Sequence, residues 1–284
     1  MRLFNFRFHT LALLLLYLMG LRTGWADDPR PLVLGVFPYV TARQIVEIYH
    51  PVAKALEIKL QRRVRLFTAR DFTAFAERTR KGEYDILLTA PHLVWLARQE
   101  VGYLPLLKYD LSIYGLLVVK SDSPFKDLED LRGRTIATPD SISLVALAGK
   151  AEMAARGLRD KIDYASKDAT THINAAMQVI NGRVDGAMLA QQTYNLMRPE
   201  LRQQLRVLAG TPPLPSLMYL THPRLPITEV QSIRTALLDF SASPDEQARK
   251  HYSANGAIEP IDDAMFPAIR PYALSAQEML RQTK

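Results

Sequence analysis

Hydroxyl and imidazole side chains gather where apolar, strand-like runs give way to helical ones. "FPYVTAR" brings Tyr39, Thr41 and Arg43 to the first such junction, and "LLTAPH" brings Thr89 and His92 to another. "ATPDSIS" sets Ser141, Ile142 and Ser143 beside Asp140, and "SKDATTH" ends in Thr170, Thr171 and His172. A helix start carries unpaired backbone N–H groups and partial positive charge, so donors collected there suit a small anion. Each hydrogen bond to a charged group contributes about 1.5–3 kcal/mol. Four or five of them reach the ~8 kcal/mol of micromolar binding after ordering costs. Taken singly, each junction reads as a helix cap, because Ser, Thr and Asp cap helices everywhere. The coincidence of four junctions is what argues for a binding site.

Other chemistries have less to stand on. There is no G-x-S-x-G elbow, no H-E-x-x-H and no G-x-G-x-x-G, and Gly149-Lys150 lacks the glycine of a phosphate loop at Leu144. Ser141 or Ser143 with His172 leaves an exported serine hydrolase as a weak alternative. His92 and His172 share no metal-ligand spacing, and without cysteine there is no thiolate site, so neither metal nor cofactor is expected. Asp85 and Asp185 each follow a short turn and open an apolar strand, which reads as a structural position and not as an acid/base couple.

The elements that must position these residues alternate along the chain. "PLVLGVF", "RVRLFTA" and "YDILLTA" read as strands. Between and after them lie helical patterns in "ARQIVEIYHPVAKALEIKL", where Pro51 is expected to break or kink the helix, "DFTAFAERTRKG" and "PHLVWLARQE". "YLPLL" and "IYGLLVVK" are strand-like. A second series follows: "LEDLRG" as a short helix, "RTIATP" as strand, "SLVALAGKAEMAARG" as helix, "KIDYAS" as strand, "THINAAMQVINGR" as helix, "DGAMLA" as strand, "QQTYNLMRPE" as helix and "LRVLAG" as strand. "SLMYLTH" and helical stretches over 227–242, 245–253 and 263–281 close the chain. Alternation of this kind predicts α/β architecture with helices on the faces of parallel or mixed sheets. The two series meet near Ser112–Gly115 and return through the proline-rich "GTPPLPS", which predicts two lobes. The expected boundaries are 27–113 with 212–284 for a proximal lobe, and 114–211 for a distal one.

Residues 1–26 have the pattern of a secretory signal: Arg2 and Arg7, the apolar "LALLLLYLMG", then small Gly24 and Ala26 before "DD". Cleavage after Ala26 would leave an exported, soluble chain of roughly 260 residues, long enough for an ordinary core. An exported protein with no cysteine suits a bacterial periplasm, and no acylated cysteine is available for a lipid anchor. The formal charge of +7 includes three arginines of that segment, leaving +4 spread over the remainder, so nucleic acid is not an expected partner. The basic run "KLQRRVR" suits a helix end and a solvated edge.

Several stretches resemble one family. "LGVFPYVTARQIVEIYHPVAKALE", "RKGEYDILLTAP", "VVKSDSPFKDLEDLRGRTIATPDS" and "THINAAMQVINGRVDGAML" occur in the order found in PhnD-like periplasmic binding proteins for phosphonate, phosphite and phosphate. The resemblance runs from Leu32 to about Leu238. It implies a two-lobed, type II periplasmic binding protein that closes on its ligand, works without catalysis, acts as a monomer, and delivers to the permease of an ABC transporter. Relatives of the fold serve as ligand sensors for a kinase, which is the alternative role. In the family a Ser-Thr-Ser-Gly turn at a helix start holds the oxyanion. The matching residues here are Ser141-Ile142-Ser143-Leu144, so Ser141, Ser143 and the backbone of Ile142 are the expected donors, joined by His172. Tyr39, Thr89 and His92 would face them, with Tyr114 at the crossover. Carboxylates that pair with an aminophosphonate amine match Gln192 and, by a looser alignment, Leu217. An ammonium buried without a counter-charge is strongly disfavoured, so 2-aminoethylphosphonate is not the expected ligand.

Overall fold

The computed structural model describes residues 30–282; the expected signal segment and its cleavage point lie outside them. Six strands make one sheet: β1 (Leu32–Val36), β2 (Val64–Phe67), β3 (Ile86–Thr89), β4 (Leu104–Tyr109), β10 (Met218–Thr221) and β11 (Ile258–Glu259), in the order β11-β4-β10-β3-β1-β2. The other sheet holds β5 (Gly115–Lys120), β6 (Thr135–Thr138), β7 (Ala165–Asp168), β8 (Gly186–Ala190) and β9 (Leu205–Gly210), ordered β7-β6-β8-β5-β9. In the first sheet β1, β2 and β3 are parallel and β10 inserts antiparallel between β3 and β4. In the second β6 is parallel to β7 and β8, while β5 runs antiparallel to β8 and β9.

Helices cover both faces of each sheet, which is why the strands are apolar on both sides. Over the first sheet, α1 (Ala42–Leu60) and α8 (Ile227–Ser241) enclose Leu34, Tyr49, Leu56, Ile86 and Ile233. On its other face α2 (Phe72–Arg80), α3 (Pro91–Val101) and α10 (Phe266–Gln282) pack on Phe75, Tyr84, Leu87 and Ile269. The second sheet sends Val119, Ile136 and Met188 toward α4 (Leu144–Ala155), and Val118, Ala137 and Leu189 toward α5 (His172–Ile180). Neighbours such as Val118 and Val119 go to opposite cores, as the two-residue strand period requires. The remaining helices are α6 (Gln191–Leu196), α7 (Pro199–Arg202) and α9 (Glu246–Asn255).

Both sheets use the same device to start their central strand. Gly82 (φ +65°) and Gly182 (φ +66°) end the preceding helix in the left-handed region, where glycine is unstrained. Three residues on, Asp85 accepts the Val33 N–H at 2.9 Å, and Asp185 accepts the Thr135 N–H at 2.9 Å. The backbone N–H of each aspartate returns a bond to the carbonyl of the same partner. Asp85 also holds Arg224 Nε at 2.8 Å. These acids extend the pairing beyond the ladder.

Several boundaries differ from the sequence pattern. The first helix passes through Pro51 unbroken, because Ile45, Tyr49, Val52, Ala53 and Leu56 form one buried face on either side of it. Its start is a capping box between Thr41 and Gln44. The strand expected over "KIDYAS" begins only at Ala165: Lys161 is left-handed (φ +65°) and Asp163 draws the chain into a turn by accepting the Arg159 N–H. The helix expected over "QQTYNLMRPE" is split, with Met197 extended before Pro199 opens α7. "LEDLRG" contributes a 3-10 turn at Glu129–Leu131, and the last helix is preceded by another at Asp263–Met265. The chain passes between the sheets twice, and the passages pair: Ile113 and Leu214 exchange two backbone bonds of 2.8 Å despite the prolines beside Leu214. Among the described residues no helix is long and apolar enough to cross a membrane.

Candidate functional site

The strand-to-helix junctions of the two sheets face one another across a cavity of about 410 Å³. Tyr39, Tyr114, Ser143, His172 and Gln192 line it, together with Leu217. Thr89, His92, Ser141 and Ile142 are not among its lining residues, and for Thr89, His92 and Ile142 the local contacts show why.

At the β6–α4 junction Asp140 takes up the nearest donors. Its Oδ1 accepts the Ile142 N–H at 3.1 Å and its carbonyl accepts the Ser143 N–H at 2.8 Å. The Ile142 N–H expected to serve an anion is thus committed within the turn. The Ile142 side chain, 1% exposed, packs in the core cluster of the first lobe with Phe37, Phe72 and Phe75. Burial lifts the Asp140 carboxyl to about 6, partly offset by the N–H groups of Ile142 and Phe72. Ser143 is the N-cap by position, yet its hydroxyl makes no capping bond and it lines the cavity. The first intrahelical bond is Leu147 N–H to Ser143 O, so Leu144, Val145 and Ala146 present N–H groups without an intrahelical acceptor. Leu144 and Val145 also line the cavity.

His92 is fully buried, and its Nε2 donates to Ile142 O at 2.8 Å, joining the two lobes. Its Nδ1 has no hydrogen-bond partner among the described residues, and burial lowers the imidazole to about 4. Thr89 is buried with an unpartnered hydroxyl, and Ala90 represents that junction on the cavity wall.

His172 is held differently. Thr171 caps α5 by accepting the Asn174 N–H at 3.1 Å, which leaves the imidazole to turn across to β8. There Nδ1 lies 3.1 Å from the Ala190 N–H. A backbone N–H only donates, so Nδ1 holds the lone pair and the ring proton sits on Nε2. Desolvation lowers this imidazole to about 4, keeping it neutral. A neutral ring with its proton on Nε2 donates through that atom and cannot take a serine proton there, which argues against the weak hydrolytic alternative.

Tyr39 is supported from behind, its hydroxyl 3.0 Å from that of Tyr49, and burial pushes it up to about 12. Deeper, His251 Nδ1 lies 3.0 Å from Ile48 O and must carry the proton, so Nε2 accepts from Tyr109 at 2.9 Å. Tyr109 then accepts from Tyr219 at 2.8 Å. Gln192 Nε2 donates to Ala254 O at 3.1 Å, tying α6 to the end of α9.

Residues outside the strand-to-helix junctions complete the wall. Asp110, Ser112 and Ser216 come from the crossing segments, and Asn195 and Asn255 from helix ends. The crossings themselves were legible as the meeting of the two series near Ser112–Gly115 and the proline-rich return, and polar residues beside them were the available signal. Among the described residues Asp110 is the one carboxylate on the wall, and no Lys or Arg lines it. Among the described residues no group of three or more potential metal-binding side chains comes together.

Residues 34–266 match the family model described as ABC transporter, phosphonate, periplasmic substrate-binding protein. Among solved structures, the chain is similar to a binding-protein component of an ABC phosphonate transporter from Pseudomonas aeruginosa, with a TM-score of 0.77, 19% identity and 87% of each chain covered. It is similar to PhnD1 from Prochlorococcus marinus in complex with methylphosphonate, with a TM-score of 0.79 at 13% identity, covering 88% of this chain and all of that one (100%). A third is XAC2383 from Xanthomonas citri bound to ATP, with a TM-score of 0.71, 21% identity, and 88% and 98% covered. At these identities the solved structures speak for the fold.

Proposed function

The chain belongs to the periplasmic substrate-binding proteins of phosphonate ABC transporters, and from that premise we propose that its interlobe cavity captures the oxyanion head of a phosphonate- or phosphate-type ligand. The observation that carries this is the bond from Ala190 N–H to His172 Nδ1, which makes Nε2–H a fixed donor beside the cavity. Ser143 Oγ and the first N–H groups of α4 supply further donors, and Tyr39, Gln192 and Tyr114 stand on the same wall. With no Lys or Arg among the described residues that line the cavity, the anion is held by neutral dipoles and a helix start. Such an arrangement binds negative charge without a buried counter-ion.

Binding energy would go into holding the lobes together, the state a membrane permease reads. In this reading the lobes are 27–113 with 212–284, and 114–211. The division of strands between the sheets supports those boundaries, since the chain leaves the first sheet after Tyr109 and returns at Met218. The mature protein would begin after Ala26 and act as a monomer in the periplasm. The family match gives no support to the sensing or hydrolytic alternatives.

Isothermal titration calorimetry of residues 27–284 against methylphosphonate, phosphite, phosphate, a sulfonate and a small carboxylate tests the proposal. Saturable binding of a phosphorus oxyanion, accompanied by about 2.7 kcal/mol of added stability at one hundred times its Kd, is the expected result. Neither heat nor a melting shift with any of these anions overturns it.

A further inference from the structure

The head-group cavity does not end where an oxyanion would. A water molecule's share of liquid is about 30 Å³, so the five heavy atoms of methylphosphonate displace on the order of 150 Å³, and the cavity, at about 410 Å³, has room beyond them. The cavity also shares Tyr39, His172, Gln192, Asn195 and Ala254 with a second, larger groove of about 790 Å³. That groove lies between α1, α6 and α9.

The two compartments differ in chemistry. The first holds the His172 donor and the open start of α4. The second is lined by Val40, Val46, Ile48, Pro51 and Leu196, with Glu47, His50 and Lys250 as its ionisable side chains besides those shared with or behind the cavity. Val46 and Leu196 are 51% and 73% exposed, in a fold that buries most residues of their kind. Apolar side chains left open beside a ligand cavity are covered when something apolar enters. A head group in the first compartment would point any substituent past Tyr39 and Gln192 into the second.

We infer that the ligand is a phosphonate or phosphate monoester with an extended, largely apolar organic substituent, which lies in the groove against Val46 and Leu196. This rests on the reading that the cavity holds the oxyanion head. It gives the 790 Å³ groove an occupant of stated chemistry, and it makes chain length a specificity determinant.

Calorimetry with methyl-, butyl- and hexylphosphonate tests it on the mature protein. Each methylene buried is expected to tighten binding about fourfold. In Val46→Asp and Leu196→Ser, both surface substitutions, the ratio of hexyl to methyl affinity is expected to fall at least about tenfold. Equal affinity across the series with saturable methylphosphonate binding overturns the inference and leaves the oxyanion proposal standing. So does an unchanged ratio in both variants. Failure of every phosphonate to bind overturns this inference, and failure of phosphite and phosphate as well removes both.

Discussion

His92 Nε2 donates to Ile142 O across 2.8 Å, and the Ile142 side chain sits in a core cluster with Phe37 and Phe72 of the other lobe. A residue expected to hold a ligand therefore joins the two lobes. Truncating a buried isoleucine costs about 2–5 kcal/mol, so Ile142→Ala is expected to lower the unfolding free energy by that amount, read as a lower urea midpoint at an unchanged slope. An effect below about 0.5 kcal/mol would show that this contact is not part of the cooperative fold.

His172 separates positioning from binding through two near-isosteres. Asparagine places a polar atom near Nδ1 and can keep the Ala190 contact, whereas glutamine reaches toward Nε2. A hydrogen bond to a charged group is worth about 1.5–3 kcal/mol, so His172→Asn is expected to weaken phosphonate binding about 10- to 150-fold. His172→Gln should retain more. Equal loss in the two variants would remove Nε2 as the ligand donor.

Stability should fall on acidification. His92, His172 and His251 are lowered by burial from 6.5 to about 4, so the unfolded chain binds protons that the folded chain refuses. Their contribution is complete above about pH 6.5 and is lost as pH drops toward 4. Asp140, raised from 3.8 to about 6, works in the opposite sense and gains stability as pH falls through 6. Three losses against one gain leave about two protons taken up on unfolding, or roughly 2–3 kcal/mol per pH unit near pH 5. Urea titrations at pH 7, 6 and 5 check this; stability that is flat or rising over that range contradicts it.

Asp85 and Asp185 occupy equivalent positions but differ in surroundings. Asp85 is fully buried and also holds Arg224, whereas the Asp185 side chain is 33% exposed with Arg134 4.0 Å away. Asp85→Ala leaves the Val33 N–H unpaired and takes one partner from the half-buried Arg224, at about 1–3 kcal/mol for each buried group left unsatisfied, whereas the half-buried Asp185 loses a hydrogen bond worth about 1 kcal/mol. Asp85→Ala is therefore expected to destabilise several times more than Asp185→Ala in the same unfolding assay. Similar losses would mean that burial does not set the difference.

The expectation against aminophosphonates meets one new fact, the carboxylate of Asp110 on the cavity wall. Asp110 is exposed, and a pair with an exposed acid is worth about 0–1 kcal/mol, too little to offset desolvating an ammonium. Methylphosphonate is expected to bind at least as tightly as 2-aminoethylphosphonate, and Asp110→Asn should alter their ratio less than about fivefold. A strong preference for the amine, lost in Asp110→Asn, would reverse this conclusion.

The alternation of strands and helices, the two series and their crossings were readable from sequence because burial on both faces of a sheet leaves long apolar runs. So were the aspartates that start β3 and β8, since a strand-opening acid is a local requirement. Of the candidate site, Tyr39, Tyr114, Ser143, His172 and Gln192 reach the cavity. Which donors remain available there was decided by tertiary contacts. Asp140 consumes the Ile142 N–H, Ile142 O consumes the His92 donor, and Ala190 sets the His172 tautomer. Residues that compete for one hydrogen bond are up to 50 positions apart in the chain, so sequence spacing records the presence of a donor and only folding determines what it meets.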